Sequence, residues 1–341
     1  MPGWTALCAL LAMAATSLDL TPPPPVHTSV RALLKYDALL LDQFGVIHDG
    51  KAAYPGAVAA VDYLLDQGVK VGVLSNSAQP KAPTVKRLLG MGFDTDRMAG
   101  ICTSGMVTHE GLAGNAFPSV VAGGRSCVVL ARGGDDAAFL ELSQCTAAPV
   151  ANADFILARG VFGIYDGDYD MGGDVFARFR EVLAVGAVRG LPMLCCNPDL
   201  VRPDGSSTPM PGVFAAEYEA LGGAVVYVGK PYAAVYAHLL ETMGAQGLKV
   251  CGVGDSMLHD IKGAKAAGVD GCFMAGGIDA PELGLAESTA SSDDSELAAI
   301  RARLPAEAEA VRARLPGFLS AFKGAPDMVL PRFVSDGGEM S

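Results

Sequence analysis

Apolar and polar positions follow two rhythms along this chain. Asp37 to Leu41 (DALLL) is a continuous apolar run that ends in Asp42-Gln43-Phe44-Gly45. Such a run predicts a strand buried on both faces, with polar groups at its C-terminal end. Pro55-Gly56 then opens a helical stretch whose stripe is Val58, Val61, Leu64 and Leu65, and Gly68 stops it. Val69 to Leu74 (VKVGVL) predicts the next strand, ending in Ser75-Asn76-Ser77. The unit is βαβ, so the sheet is expected to be parallel with a right-handed crossover.

The same alternation returns near the C-terminus. Strands are predicted at Ala224–Val228, Val250–Val253 and Gly271–Met274, and helices at Ala233–Met243 and Ile261–Ala267. Asp42, Ser75, Lys230 and Asp255 all fall at predicted strand ends, the edge of an open parallel sheet where ligands bind. The stretch between has strands of its own at Cys127–Leu130, Phe155–Ala158 and Met193–Cys195, and a helix at Val175–Leu183. Asp42 and Ser75 are too close in sequence to admit more than a flap, one helix and one strand. A second α/β module must therefore enter after Ser75. The expected division is an arm at 1–27, a discontinuous core at 28–79 and 225–341, and an inserted cap at 80–224. An Ala/Arg/Glu-rich helix is expected within 285–325, with a last edge strand in DMVLPRF (327–333).

Composition narrows the functions. The chain has 341 residues, half of them hydrophobic, and a formal net charge of −12. That field repels phosphate backbones and argues against a nucleic-acid partner. A small anionic substrate remains compatible if a metal or local lysine reverses the sign. Eight cysteines include no C-x-x-C and lie mostly in apolar runs, which excludes a zinc cage and fits a reducing, cytoplasmic compartment. No apolar run is long enough to span a membrane. The apolar stretch before Pro22-Pro23-Pro24-Pro25 lacks a basic lead-in, so residues 1–26 read either as an organelle-targeting segment or as a loose arm outside the fold.

The chemistry lies in the four strand ends and in Asp260, five residues after Asp255. Two carboxylates brought together repel unless a cation joins them, and hard oxygen ligands suit Mg²⁺. A lysine and a serine hydroxyl beside that ion can hold phosphate oxygens. One carboxylate can then attack phosphorus. Other readings are weaker. Lys230 is no P-loop lysine, since Ala224 and Pro231 replace the required Gly and Ser/Thr. Gly252-x-Gly254 lacks the third glycine of a dinucleotide site, and His109-Glu110 lacks the second histidine of a zinc helix. His238 and His259 read as helix-surface residues.

LLLDQFGVIHDG (39–50), VGVLSNS (71–77), CCNPDLVRPDG (195–205), VVYVGKPY (225–232) and CGVGDSMLHDIKGAKAAG (251–268) together resemble the haloacid dehalogenase superfamily. The similarity is closest to its class IIA branch of NagD-like and p-nitrophenylphosphatase-like enzymes. The resemblance implies a Rossmann-like core with a C2-type cap. It implies a Mg²⁺-dependent phosphatase acting on a small phosphorylated metabolite through an aspartyl-phosphate on Asp42. Asp42, the Phe44 carbonyl, Asp255 and Asp260 would serve the metal. Gly45, Ser75, Asn76 and Lys230 would serve the phosphate, and Asn197 and Asp199 would face the site from the cap. Pairing of two copies through the cap is a further implication. One position departs: the family's phosphatases carry a second aspartate two residues after the nucleophile, and here Phe44 stands there. His48 and Asp49 are the nearby candidates to replace it. A phospho-ligand binder with weak or no turnover is the alternative function; phosphoryl transfer or carbon–phosphorus cleavage is a third.

Overall fold

A computed structural model describes residues 22–202, 208–286 and 294–335. In chain order the strands are β1 (Ala38–Leu41), β2 (Lys70–Ser75) and β3 (Gly100–Thr103). Then come β4 (Ser126–Ala131), β5 (Thr146–Ala147), β6 (Phe155–Ala158), β7 (Gly163–Tyr165), β8 (Tyr169–Asp170), β9 (Met193–Cys195) and β10 (Val225–Tyr227). The last are β11 (Val250–Gly254), β12 (Asp270–Met274) and β13 (Met328–Leu330). The first three and last three form one parallel sheet in the order β13-β12-β11-β1-β2-β3. The seven between them form a second sheet, β10-β9-β6-β4-β7-β8, with β5 beside β4. The fold is thus a parallel α/β core with an α/β cap inserted after β3.

Two boundaries differ from the sequence expectation. β3 lies in the stretch expected to be cap but is an edge strand of the core sheet, paired with β2. β10 was expected in the core but pairs with β9 in the cap sheet. Both are short edge strands with one partner each, and an apolar run does not say which sheet it joins. The chain therefore crosses into the cap after Thr103 and returns after Tyr227. The N-terminal arm also differs. Residues 1–21 lie outside the described residues, but Val26 bridges Val329 and the His27 N–H donates to its carbonyl at 2.9 Å. The end of the arm thus extends the sheet edge beside β13. Among the described residues no helix is long and apolar enough to cross a membrane.

Alternation across β1 and β2 sends side chains to two cores. Leu39, Leu41, Val71 and Val73 pack with Ala60, Val61 and Leu64 of the helix Ala57–Asp66. Leu40 and Leu74 face the other way, toward Leu239 of the helix Ala233–Thr242. That second core continues without a break through Met106, Val107 and Leu112 of the helix Ser104–Ala113 into Phe155, Leu157 and Leu194 of the cap sheet. Cap and core share one hydrophobic cluster, so burial resists their separation. The outer face of the cap sheet is covered by Phe179, Phe214 and Tyr218. The helix Asp294–Leu319, expected from its Ala/Arg/Glu pattern as a helix, covers Phe273 and Val329 of the core.

Between β1 and the helix Ala57–Asp66 the chain forms a tight flap. His48 is fully buried there. The Gly50 N–H donates to its Nδ1 at 3.0 Å, so the proton sits on Nε2, which faces Gln43 Oε1 at 3.3 Å. Asp49 Oδ1 accepts from the N–H groups of Lys51 and Ala52 and closes its own turn. Burial, reinforced by the charge of Arg87, lowers the His48 pKa to about 4. The unfolded chain protonates near 6.5 while the folded chain resists. Stability is therefore complete above pH 6.5 and falls as the pH drops toward 4. Relative to His48→Gln, the wild type should lose about 3 kcal/mol across that window. Denaturant unfolding of both proteins at a series of pH values measures this; parallel curves would contradict it.

Candidate active site

The parallel register brings the acidic groups together. Leu41 stands level with Val253 on one side and Val73 on the other. The next residues, Asp42, Gly254-Asp255 and Leu74-Ser75, therefore emerge at one sheet edge. The Asp42 N–H continues the ladder, donating to the Val253 carbonyl at 2.9 Å. Just beyond Asp255, a single π-turn (Met257–Ile261) turns the Asp260 carboxylate back to the same point. Oxygens of Asp42, Asp255 and Asp260 lie within 4.8 Å of one another.

Lys230 lies against this cluster and is only 4% exposed. Its Nζ is 2.6 Å from Asp42 Oδ1 and 2.7 Å from Asp260 Oδ1. Burial alone would lower its pKa, but the carboxylates of Asp260 and Asp42 outweigh that and hold it well above the ordinary lysine value. One ammonium does not neutralise three carboxylates. Burial pushes Asp42 up to about 7 against the pull of Lys230, with Asp260 adding repulsion. Burial and the charges of Asp42 and Asp260 also push Asp255 well up. Asp260 is bonded at both oxygens, with Oδ2 accepting from the Ser256 N–H at 3.1 Å. Asp255 has one bond, from the Ile278 N–H to Oδ2 at 2.9 Å.

The surplus of buried negative charge fits a divalent cation, and the donors are the hard oxygens such an ion prefers. Close backbone approach supports the same reading. Gly45, at φ +73°, lies so near that a Cβ would fall on the Asp255 carboxylate. A Cβ at Gly254 would collide with Asp260 in the same way. Any larger residue at these positions would fill the carboxylate cradle.

The remaining candidates divide. Ser75 is buried at the end of β2, and its Oγ accepts from the Ser77 N–H at 3.2 Å, which leaves the hydroxyl proton to donate. Asn76, expected to contact phosphate, clamps the main chain of Lys230 with its side chain. Its Oδ1 accepts from the Lys230 N–H at 2.6 Å, and its Nδ2 donates to the Lys230 carbonyl at 3.0 Å and to Asp199 Oδ1 at 2.7 Å. Its amide is spent on positioning the lysine. Lys230 itself follows β10 of the cap sheet, not a core strand as the sequence suggested. Asn197 Oδ1 accepts from the Asp199 N–H at 2.9 Å and shapes the turn that presents Asp199 to Asn76. Both cap residues meet the core here.

Phe44 points its ring into the flap, edge-on to His48 with centroids 4.8 Å apart. The two flap candidates to replace it are engaged locally: His48 Nδ1 accepts from the Gly50 N–H, and Asp49 Oδ1 closes a turn. His259, read from sequence as a surface residue, lies on the seam. Its Nδ1 is 3.0 Å from Ser256 Oγ and its Nε2 is 3.8 Å from Asp199 Oδ1. Adjacency to Asp260 was the available signal; the π-turn that aims it was not legible.

Sequence and structure comparisons agree on the family. Residues 39–143 match a profile described as haloacid dehalogenase-like hydrolase, and residues 227–294 match a second described as HAD-hydrolase-like. No curated protein matches the chain. Among solved structures, a hydrolase of the haloacid dehalogenase-like family from Brucella suis 1330 is 26% identical, at a TM-score of 0.63, over 75% of this chain and 92% of that one. A 4-nitrophenylphosphatase from Thermotoga maritima is 20% identical over 88% and 96% of the two chains, at a TM-score of 0.60. NagD from E. coli K-12 is 19% identical over 89% and 98%, at 0.59. These last two share the fold, core and cap together. The two profiles span just over half of the sequence and contain Asp42, Ser75, Lys230, Asp255 and Asp260, so the chain belongs to the haloacid dehalogenase-like hydrolases.

Proposed function

We propose that this chain is a Mg²⁺-dependent phosphatase that hydrolyses a small phosphomonoester through an aspartyl-phosphate on Asp42. The observation that carries the reading is the buried cluster of Asp42, Asp255 and Asp260, held by a single lysine. Asp42, Asp255 and the Phe44 carbonyl would hold the ion, with Asp260 beside them. When bound, Mg²⁺ would offset the repulsion between these carboxylates and an incoming phosphate.

In the first step an Asp42 carboxylate oxygen attacks phosphorus, and the bond from phosphorus to the leaving oxygen breaks. Lys230 and the Ser75 hydroxyl orient the phosphoryl oxygens. In the second step water attacks phosphorus, the bond to Asp42 breaks, and inorganic phosphate leaves. Asn76 supports both steps by fixing the Lys230 main chain.

Phe44 sets the limit. No side chain there can protonate the leaving oxygen or deprotonate the water, and such help is worth about 10²–10⁴ in rate. The site therefore suits leaving groups that depart without protonation, such as aryl oxides. The same residue favours a second reading, a phospho-ligand binder with little turnover.

Asp42→Asn should reduce p-nitrophenyl phosphate hydrolysis to background, and chelation of Mg²⁺ should do so reversibly. Steady-state assays with and without EDTA test both; full activity in either case would remove the proposed mechanism. Phe44→Asp should raise kcat on alkyl phosphates by about 10²-fold or more and on aryl phosphates by less. A uniform fall on both substrate types would show that the missing acid is not the limit. Tight, Mg²⁺-dependent phosphate binding with no turnover in either protein would support the binder.

A further inference from the structure

Asp255 rests on a loop that the C-terminal edge of the core pins from behind. Its Oδ2 accepts from the Ile278 N–H at 2.9 Å. Ile278 follows two glycines, Gly276 and Gly277, just past the end of β12. A Cβ at Gly277 would fall on the Asp255 side chain. A Cβ at Gly276 would strike the Pro331 carbonyl and the Arg332 guanidinium. The loop is thus pressed between the carboxylate and the segment that follows β13. Paired glycines permit this close approach, but they also leave the backbone more conformations than other residues would.

Arg332 removes that freedom. It lies just beyond β13 and is 5% exposed. Its Nη1 donates to the Gly276 carbonyl at 3.4 Å and its Nη2 to the Ala286 carbonyl at 2.7 Å, so one planar group ties both ends of the stretch 276–286. Glu307, buried on the helix Asp294–Leu319, holds the guanidinium side-on: Nε reaches Oε2 and Nη2 reaches Oε1, both at 3.0 Å. Gly45, Gly276 and Arg332 line one small cavity, so the guanidinium and the loop after Asp42 border the same space. Glu307 matches the charge of Arg332, which therefore does not serve to offset the surplus of carboxylates at the site. A buried ion pair gains little net stability over apolar residues of the same volume. Apolar residues could fill this space, but they could not hold two carbonyls.

We propose that the buried Arg332–Glu307 pair is a positioning device: it fixes the Gly276–Ile278 loop and, through the Ile278 N–H, the orientation of Asp255 toward the divalent cation. The inference rests on the cation reading of the site and assigns it two residues that touch neither metal nor substrate. Hydrogen bonds that orient a metal ligand are worth about 10–100-fold in metal affinity. The planar fork is what the role requires, because a lysine ammonium cannot hold Glu307 side-on and reach both carbonyls at once. Arg303 also reaches Glu307, with Nε 2.9 Å from Oε1, but its side chain is 41% exposed and lies on the same helix. It shares the carboxylate without touching the loop and serves as the control.

Titration calorimetry of the full-length protein with MgCl₂ reads the affinity directly. The double replacement Arg332→Met with Glu307→Leu removes the pair without changing net charge, so an altered field is not the cause of its effect. It should weaken Mg²⁺ binding about ten-fold or more while the folded protein persists in thermal unfolding. Arg332→Lys keeps the charge and should also weaken binding, and it carries the test if the double variant does not fold. Arg303→Gln should bind Mg²⁺ as the wild type does. In turnover of p-nitrophenyl phosphate, the Mg²⁺ concentration for half-maximal rate should rise by the same factor in the pair variants, while kcat at saturating Mg²⁺ recovers. Wild-type Mg²⁺ affinity in the pair variants, or an equal loss in Arg303→Gln, would overturn the positioning role. Turnover in the wild type with unchanged affinity in the variants sinks the positioning role alone. The expected loss of affinity without any turnover sinks the hydrolase reading alone, and a wild type that binds no Mg²⁺ sinks both.

Discussion

Three carboxylates buried at one sheet edge with a single ammonium among them form the constraint on which the rest of the structure turns. Burial, and after it the neighbouring carboxylates, raise the pKa of Asp42 and Asp255. Lys230 bridges Asp42 and Asp260, and among the described residues no ion pair reaches Asp255. The backbone accommodates this cluster by approaching it without side chains, at Gly45 and Gly254. The donors of such a cluster are the hard oxygens that suit a divalent cation.

The position of Lys230 explains why the cap matters to the core's chemistry. The lysine is carried by the chain as it leaves β10 in the cap sheet. Asn76 of the core holds its N–H and carbonyl, and Asp199 of the cap holds Asn76. The ammonium is therefore placed by a chain of hydrogen bonds that crosses between the two sheets. The shared hydrophobic cluster and the buried Arg159–Asp136 pair fix the same boundary from the other side. Movement of the cap would move the lysine as well as open the cleft. The Phe44 ring sits outside this network, packed in the flap against His48.

Much of this was legible from the sequence because parallel strands leave a local mark: an apolar run followed at once by the residues that function. DALLL before Asp42, VKVGVL before Ser75 and VCGV before Gly254-Asp255 each carry that mark, and β1, β2 and β11 hold those residues at one edge. What failed was information with no local mark. β3 and β10 are short edge strands, and nothing in GICT or VVY says which sheet each one joins. That the Asn76 side chain holds the Lys230 main chain was not legible either, because sequence adjacency does not show where an amide points. His259 read as solvated because a regular helix would have turned it outward, whereas the π-turn aims it at Asp199.

By itself the sequence determined the order of the elements, the charged groups that end the core strands and the aromatic residue at position 44, since all three depend on residue type and near-neighbour spacing. Only the tertiary structure decided which sheet carries Lys230 and which side chains are spent on one another. Those outcomes depend on contacts between residues tens to hundreds of positions apart, where burial and hydrogen-bond competition choose the partner.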